Sequence, residues 1–366
     1  MTGERARGRG RTGLPTIRDV AAEAGVSIAT VSRVYSGDRP VMPDTRERVE
    51  AAARKLDFTM NAHARALKGA ADGPIAVLIG DIMGASFAAL ARGAEREAAE
   101  RGRLCVVGTT DADPDREAAQ VRLMREHRAT AVILVGGASD LAEYRARMDD
   151  YQRLLATVGS RLVLCGRPAL EGHAPDALVL SYSNEQGAFD ATAELLRSGH
   201  RRILALPGAA GYSTASTRLA GYRRAHAERG VAVDESLISE SAFSRDAGRA
   251  ATERALDDGA EFTAVFAGSD ATASGVLAAL HSRRIRVPEE VSVIGFDDVP
   301  AALDMHPPLS SVAVPYEEMG RLAVSLALGH QGEPPPEPTI LPTTLVLRGS
   351  TAGAPQSAPD RAPRAR

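Results

Sequence analysis

Arg33 carries the most specific chemistry near the N-terminus. Its guanidinium can make two parallel hydrogen bonds to guanine O6 and N7, worth roughly 1–3 kcal/mol of discrimination against another base. It closes the segment Ser27-Ile-Ala-Thr-Val-Ser-Arg33. There Ile28 and Ala29 offer apolar contact suited to a thymine methyl. Ser27 and Thr30 carry hydroxyls for phosphate or base edges, and Ser32 faces outward beside Arg33. Catalytic chemistry is poorly served elsewhere. Gly211-Tyr-Ser-Thr-Ala215 misses the GxSxG nucleophile elbow by its last glycine. Asp111-Ala-Asp-Pro-Asp115 begins like a calcium loop, but Arg116 replaces its glycine and Arg122 its closing glutamate. Lysine occurs only at 55 and 68, so residues 69–366 supply neither a P-loop lysine nor a Schiff base. The eight histidines lack ligand spacing, and Cys105 and Cys165 lie in apolar runs without a CxxC partner. No catalytic residue, metal or cofactor is expected.

The candidate base-reading residues need a helix presented end-on, and the surrounding pattern predicts one. Ile17, Val20, Ala21 and Ala24 make one apolar stripe, with Thr16 at the N-cap and Asp19 in the first turn. Gly25 ends that helix, and Ser27 caps a second over 28–35. Two helices three residues apart with a glycine between them have helix-turn-helix spacing. Val31 and Val34 share the buried face, which leaves Ile28, Ala29, Ser32 and Arg33 outward. A third helix over about 43–56 starts at Pro43 and buries Val49, Ala52, Ala53 and Leu56.

Charge agrees with that division. Residues 1–71 hold 13 Lys and Arg against 8 Asp and Glu, while the rest holds 31 against 39, so a basic head precedes an acidic body. The chain of 366 residues is 44% apolar and 25% charged, the mix of two or three globular domains. No window has 18 consecutive apolar residues, and no apolar run follows the basic start, so neither a membrane span nor a secretory signal is expected. With two cysteines only, the expected compartment is the cytoplasm.

From Gly73 the pattern alternates strand and helix. Strands are expected at 75–79, 104–107, 131–135 and 161–165, then at about 177–182, 202–206, 237–240, 263–267 and 291–295, with helices between. Near-continuous apolar strands separated by helices imply parallel sheets covered on both faces. The repeat of the theme implies two Rossmann-like α/β lobes facing a cleft, with ligand at the carboxyl ends of the strands. The fold class is therefore α/β, with an all-α helix-turn-helix head.

The stretches TIRDVAAEAGVSIATVSRV, TRERVEAAARKLDF and NAHARALK make the head resemble that of the LacI/GalR family of bacterial transcription regulators. The body is similar to that family's effector core, of the type I periplasmic-binding-protein fold, through IAVLIGDIMGASFAALARGAE, STRLAGY, AVFAGSDATASGVL and RVPEEVSVIGFDD. The resemblance spans residues 16–350. It implies a DNA-binding set of Thr16, Ser27, Ile28, Ala29, Thr30, Ser32 and Arg33, extended by Asn61, Arg65, Leu67 and Lys68 of a hinge helix. In that family the hinge folds on operator DNA and a leucine wedges into the minor groove; Leu67 matches it. Met60 stands where the family usually has proline, which weakens helix initiation there. The implied organisation is a disordered arm 1–14, the helix-turn-helix 15–60, and hinge and linker 61–71. The N-terminal lobe is then 72–177 plus 313–336, the C-terminal lobe 178–312 plus 337–352, and 353–366 a disordered tail.

The same resemblance implies effector-binding residues. Arg218 in STRLAGY matches an arginine that holds ligand hydroxyls or a carboxylate, and Asp270 in AGSDATASG an aspartate that accepts from the ligand. Phe87, Arg167, Thr214 and Phe243 match further pocket positions. Gly84, Gly166 and Ser183 stand where the family often has polar side chains, and fewer acceptors leave room for an effector more anionic than a neutral pyranose. The implied protein is a ligand-responsive regulator, a repressor by family habit. It would bind a pseudo-palindromic operator as a homodimer, with a sugar or related metabolite between the lobes. A transport-type sugar-binding protein should carry a secretory signal and no basic head, and an α/β enzyme should show a catalytic group in the cleft.

Overall fold

The structure, a computed structural model, describes residues 15–36, 40–58, 73–168, 170, 172–329 and 337–355. The chain divides into two compact units, Met1–Gly73 and Pro74–Arg366.

In the first unit α1 (Ile17–Ala24) starts where the Thr16 amide and hydroxyl both donate to the Asp19 carboxylate at 2.8 Å. Gly25 ends it at φ +65°, a left-handed turn that costs a residue without Cβ little. The Thr30 amide donates to Ser27 Oγ at 3.1 Å, capping α2 (Ile28–Ser36). Pro43 opens α3 (Pro43–Lys55). Val20, Ala21, Ala24, Val31, Val34, Val49, Ala52 and Ala53 form a buried core between the three helices.

The second unit holds two sheets. The first uses β1 (Ile75–Ile79), β2 (Cys105–Thr109), β3 (Ala131–Val135), β4 (Arg161–Cys165) and β5 (Leu178–Tyr182). Between them run α4 (Ala85–Glu100), α5 (Pro114–Glu126) and α6 (Leu141–Ala156). The second sheet uses β6 (Ile203–Leu206), β7 (Ala264–Ala267), β8 (Ser292–Asp297) and β9 (Ser310–Ala313). Its helices are α7 (Asn184–Arg197), α8 (Ser213–Glu228), α9 (Arg245–Asp257) and α10 (Asp270–Ser282). The chain then adds α11 (Tyr316–Gly329), β10 (Thr339–Leu341) and β11 (Thr344–Val346). Strand order is β10-β5-β4-β3-β1-β2 in one sheet and β11-β9-β8-β7-β6 in the other, all parallel except β11 on β9. β1 and β3 are wholly buried, as strands covered on both faces must be.

The sheet pairings move the expected lobe boundaries. β5 pairs with β4 and β10 pairs with β5, so both belong to the first sheet. The chain therefore crosses between lobes after Tyr182, after Ala313 and between β10 and β11, rather than at 177/178, 312/313 and 336/337. The expected strand at 237–240 is a 3-10 turn, Glu235–Leu237, with one bridge from Ile238 to Ala205. Residues 353–355, expected in a disordered tail, are described, and the Ala354 amide donates to Ser198 O at 2.8 Å. The arm 1–14, the hinge and linker 61–71, and 356–366 lie outside the described residues. Among the described residues no helix is long and apolar enough to cross a membrane.

Candidate functional site

The head presents the N-terminal turn of α2 outward. Ser27, Ala29 and Arg33 are exposed, Ile28 is 46% exposed, and Thr30 and Ser32 are half-buried. Val31 and Val34 anchor the opposite face at 0% and 5% exposure. An isoleucine left in water beside an alanine, at the start of a rigid helix, is a surface shaped for an apolar partner such as a thymine methyl. Thr16 is exposed and engaged in its cap. Asn61, Arg65, Leu67 and Lys68 lie outside the described residues.

In the body, strand ends from both sheets face a cleft. A chamber of about 540 Å³ there is lined by five of the six expected effector residues: Phe87, Thr214, Arg218, Phe243 and Asp270. The sixth, Arg167, lines an adjoining chamber that Phe87 and Phe243 also reach. Arg218 projects from α8 and is 3% exposed. Its Nε donates to Asn184 Oδ1 at 2.9 Å, one terminal nitrogen to Tyr182 Oη at 3.2 Å, and the other to the Gly268 carbonyl. The Phe296 ring lies under its guanidinium, 3.7 Å to the centroid.

The carboxylate that faces Arg218 is Asp297, at 3.5 Å. Asp297 Oδ1 also accepts from Tyr316 Oη at 2.7 Å. Asp297 sits at φ +107°, followed by Asp298 at +53°, a strained pair of the kind that persists only where surrounding structure holds it. Asp270 is fully buried, and both its oxygens are taken: Oδ1 by the Ser311 hydroxyl at 2.5 Å, Oδ2 by the Val299 amide at 2.8 Å. Burial, with the nearby Asp297 charge adding to it, pushes the Asp270 carboxyl up to about 7. Asp270 thus holds the turn after β8 in place, directly behind Asp297 at the strand's end. Sequence reasoning missed Asp297, Tyr182 and Tyr316. The GFDD motif at the end of β8 was the available signal for the first; the two tyrosines come from distant segments.

The lobes touch directly beside this chamber. The Ser213 amide donates to the Ala138 carbonyl at 2.8 Å, and the Ala138 amide donates to Ser213 Oγ at 2.9 Å. Burial pushes the Cys105 and Cys165 thiols up to about 11 and about 12, which leaves no reactive thiolate. Among the described residues no group of three His, Cys, Asp or Glu could hold a metal ion.

A three-helix unit with an exposed recognition-type helix is thus joined in one chain to a two-lobed cleft. Residues 16–61 match the family described as bacterial regulatory proteins, lacI family, and residues 192–351 match the periplasmic binding protein-like domain. The transcriptional regulator DegA of Bacillus subtilis is 31% identical over 92% of this chain and 98% of its own. The chain belongs to the lacI family. GalS of Salmonella typhimurium is 34% identical over 86% of the chain and 89% of its own length. A solved CelR–cellobiose complex is 31% identical over 92% of the chain and 99% of its own, with a TM-score of 0.66. The lac repressor dimer bound to operator shares the fold over 93% of the chain and all of its own, at TM-score 0.82 and 24% identity. The regulator is a ligand-responsive DNA-binding protein, of a family that consists of transcriptional regulators rather than enzymes.

Proposed function

We propose that the regulator is a cytoplasmic repressor that binds a pseudo-palindromic operator as a homodimer and takes a neutral sugar between its lobes. Arg33, Ile28 and Ala29 read base edges in the major groove, and Ser27, Thr30, Ser32 and Thr16 meet phosphate or base. Asn61, Arg65, Leu67 and Lys68 belong to the same reading through the hinge. One helix-turn-helix covers a half-site, which makes a dimer the reading unit.

The observation that carries the ligand class is the buried Arg218–Asp297 pair at the chamber wall. A donor fork beside an acceptor suits vicinal hydroxyls, which accept from one and donate to the other. The charge count argues against an anion. Each buried cation of the cleft already has a carboxylate: Asp297 for Arg218, and Glu117 for Arg167 at 2.5 Å. The cellobiose held by CelR, a relative at 31% identity, points the same way. Phe87 and Phe243 supply apolar faces for the ligand, and Thr214 a hydroxyl.

Ligand occupancy and DNA affinity are coupled by linkage, with a typical free energy of ~1–3 kcal/mol. The test is a gel-shift titration of operator DNA with and without sugar, on wild type and Arg218→Ala. The expected outcome is that sugar changes the wild-type DNA Kd about fivefold or more, while the variant keeps operator binding and loses the response. A variant that still responds fully to sugar would move the ligand site elsewhere.

A further inference from the structure

The pair that walls the chamber is gripped from the opposite lobe. Arg218 on α8 and Asp297 at the end of β8 both belong to the lobe of the second sheet. Within that lobe Arg218 meets Asn184, the Gly268 carbonyl and the Phe296 ring. A further partner, at 3.2 Å, is the hydroxyl of Tyr182, the last residue of β5 in the first sheet. Asp297 in turn accepts at 2.7 Å from Tyr316, the first residue of α11. That helix packs on α4 of the first lobe, where Gly93 leaves the Glu317 carbonyl room that a Cβ would fill. Burial and the Asp297 charge push the Tyr316 hydroxyl well above its ordinary range, so it stays a proton donor.

The two tyrosines also mark the crossings between lobes. The chain passes to the second lobe directly after Tyr182 and returns between Ala313 and Tyr316. The tyrosine rings meet edge to face, 6.1 Å between centroids, and so make one block at the pivot. A hinge motion turns the lobes about such crossings. The two ends of each hydrogen bond ride on different lobes, so a turn re-aims Arg218 and Asp297 or breaks their hold on the tyrosines. A ligand shifts an equilibrium between two arrangements only by its difference in affinity for them. The tyrosines supply that difference, because they make the aim of the ligand-binding pair depend on the lobe angle.

We propose that Tyr182 and Tyr316 are positioning residues through which the Arg218–Asp297 pair senses the lobe angle and converts ligand occupancy into a change of DNA affinity. This rests on the reading that a sugar binds at that pair. Without the two hydroxyls the pair rides on the second lobe alone and offers a ligand the same partners in each arrangement. Occupancy then moves the lobes less, however tightly the ligand binds.

The test compares the full chain with its Tyr182→Phe, Tyr316→Phe double variant, which keeps both rings and removes both hydroxyls. Gel shifts give the DNA Kd without sugar and at saturating sugar, on an operator duplex that the full chain selects from random sequence. Ribose, glucose, galactose and cellobiose are tried on wild type, the one with the largest effect is used throughout, and calorimetry fixes its saturation. The wild-type Kd changes about fivefold or more, and that of the double variant less than about twofold although sugar still saturates it. Tyr222→Phe removes a hydroxyl that donates to the Ile203 carbonyl inside the second lobe, and it keeps the wild-type response. A double variant that responds fully at saturation overturns the proposal and leaves the sugar reading standing. So does one that no longer binds sugar, which would place the hydroxyls in the pocket itself. An equal loss in Tyr222→Phe also overturns it, as a general effect of instability. A wild type unmoved by all four sugars overturns the sugar reading and the proposal with it.

Discussion

At the scale of single residues the two functions rest on side chains in opposite environments. Arg33 is exposed on a helix whose other face is packed. Arg33→Ala is therefore expected to leave the fold intact and remove about 1–3 kcal/mol of discrimination at one base position. A gel-shift series across half-site variants checks this; an unchanged base preference would assign Arg33 to phosphate contact only. Asp270 is the reverse case, a carboxyl held neutral by burial until about pH 7. The folded chain then binds a proton that the unfolded chain has already released above the ordinary carboxylate pKa. Stability from this group is thus lost as pH rises from about 4 to about 7. Burial pulls His200 and His226 down, and these give the opposite slope below their ordinary pKa, so the wild-type curve alone does not isolate Asp270. The difference does: melting of Asp270→Asn should gain on wild type steadily between pH 4 and pH 7. A flat difference would mean that Asp270 is ionised throughout.

At the scale of elements, helices meet backbone to backbone through glycines. A Cβ on Gly275 of α10 would lie 1.9 Å from the Arg245 carbonyl of α9, and one on Gly248 of α9 would lie 2.3 Å from the Thr272 carbonyl. Gly93 and Gly320 do the same for α4 and α11. The α9–α10 contact sits directly under the site, since α10 begins at Asp270 and α9 follows Phe243. Gly275→Ala must push these helices apart, with an expected cost of about 1–3 kcal/mol. Denaturant melting reads that cost, along with weaker sugar binding; a stability loss well below this range would show that the pair can slide apart freely. Most of the elements were legible in the sequence, because apolar periodicity and caps are local, though the strand expected at 237–240 is a 3-10 turn and β9, β10 and β11 were not foreseen. Thr16, Gly25, Ser27 and Pro43 end or begin helices where their chemistry predicts. Sheet membership was not legible. Leu178-Val-Leu-Ser-Tyr182 reads as a strand, but nothing in five residues says that Leu178 aligns with Val163 of β4. The site divides the same way. All six expected effector residues reach the cleft, while Asp297 beside Arg218 required knowing which strand ends converge.

At the scale of the whole second unit, the lobes are separate sheets joined by three crossings and by a buried cluster that holds residues of both. The paired hydrogen bonds between Ser213 and Ala138 also join them, and Ser213 is the first residue of α8, five residues before Arg218. A ligand that touches both lobes binds only the arrangement in which these segments meet. Its apparent affinity is therefore reduced by the fraction of molecules in which they are apart. Ser213→Ala removes the acceptor for the Ala138 amide, and that amide finds water once the lobes separate. The joined arrangement then holds a buried donor without an acceptor, at a cost of about 1–3 kcal/mol. Sugar affinity should fall roughly five- to 150-fold while Arg218 and Asp297 remain in place. Linkage carries the same perturbation to DNA: the operator response shifts to higher sugar concentration, and its full extent at saturating sugar stays as in wild type. Paired calorimetric and gel-shift titrations separate this from damage to the pocket, which would lower the saturated response as well. An unchanged sugar Kd in Ser213→Ala would show that the lobe contact is not what the ligand selects.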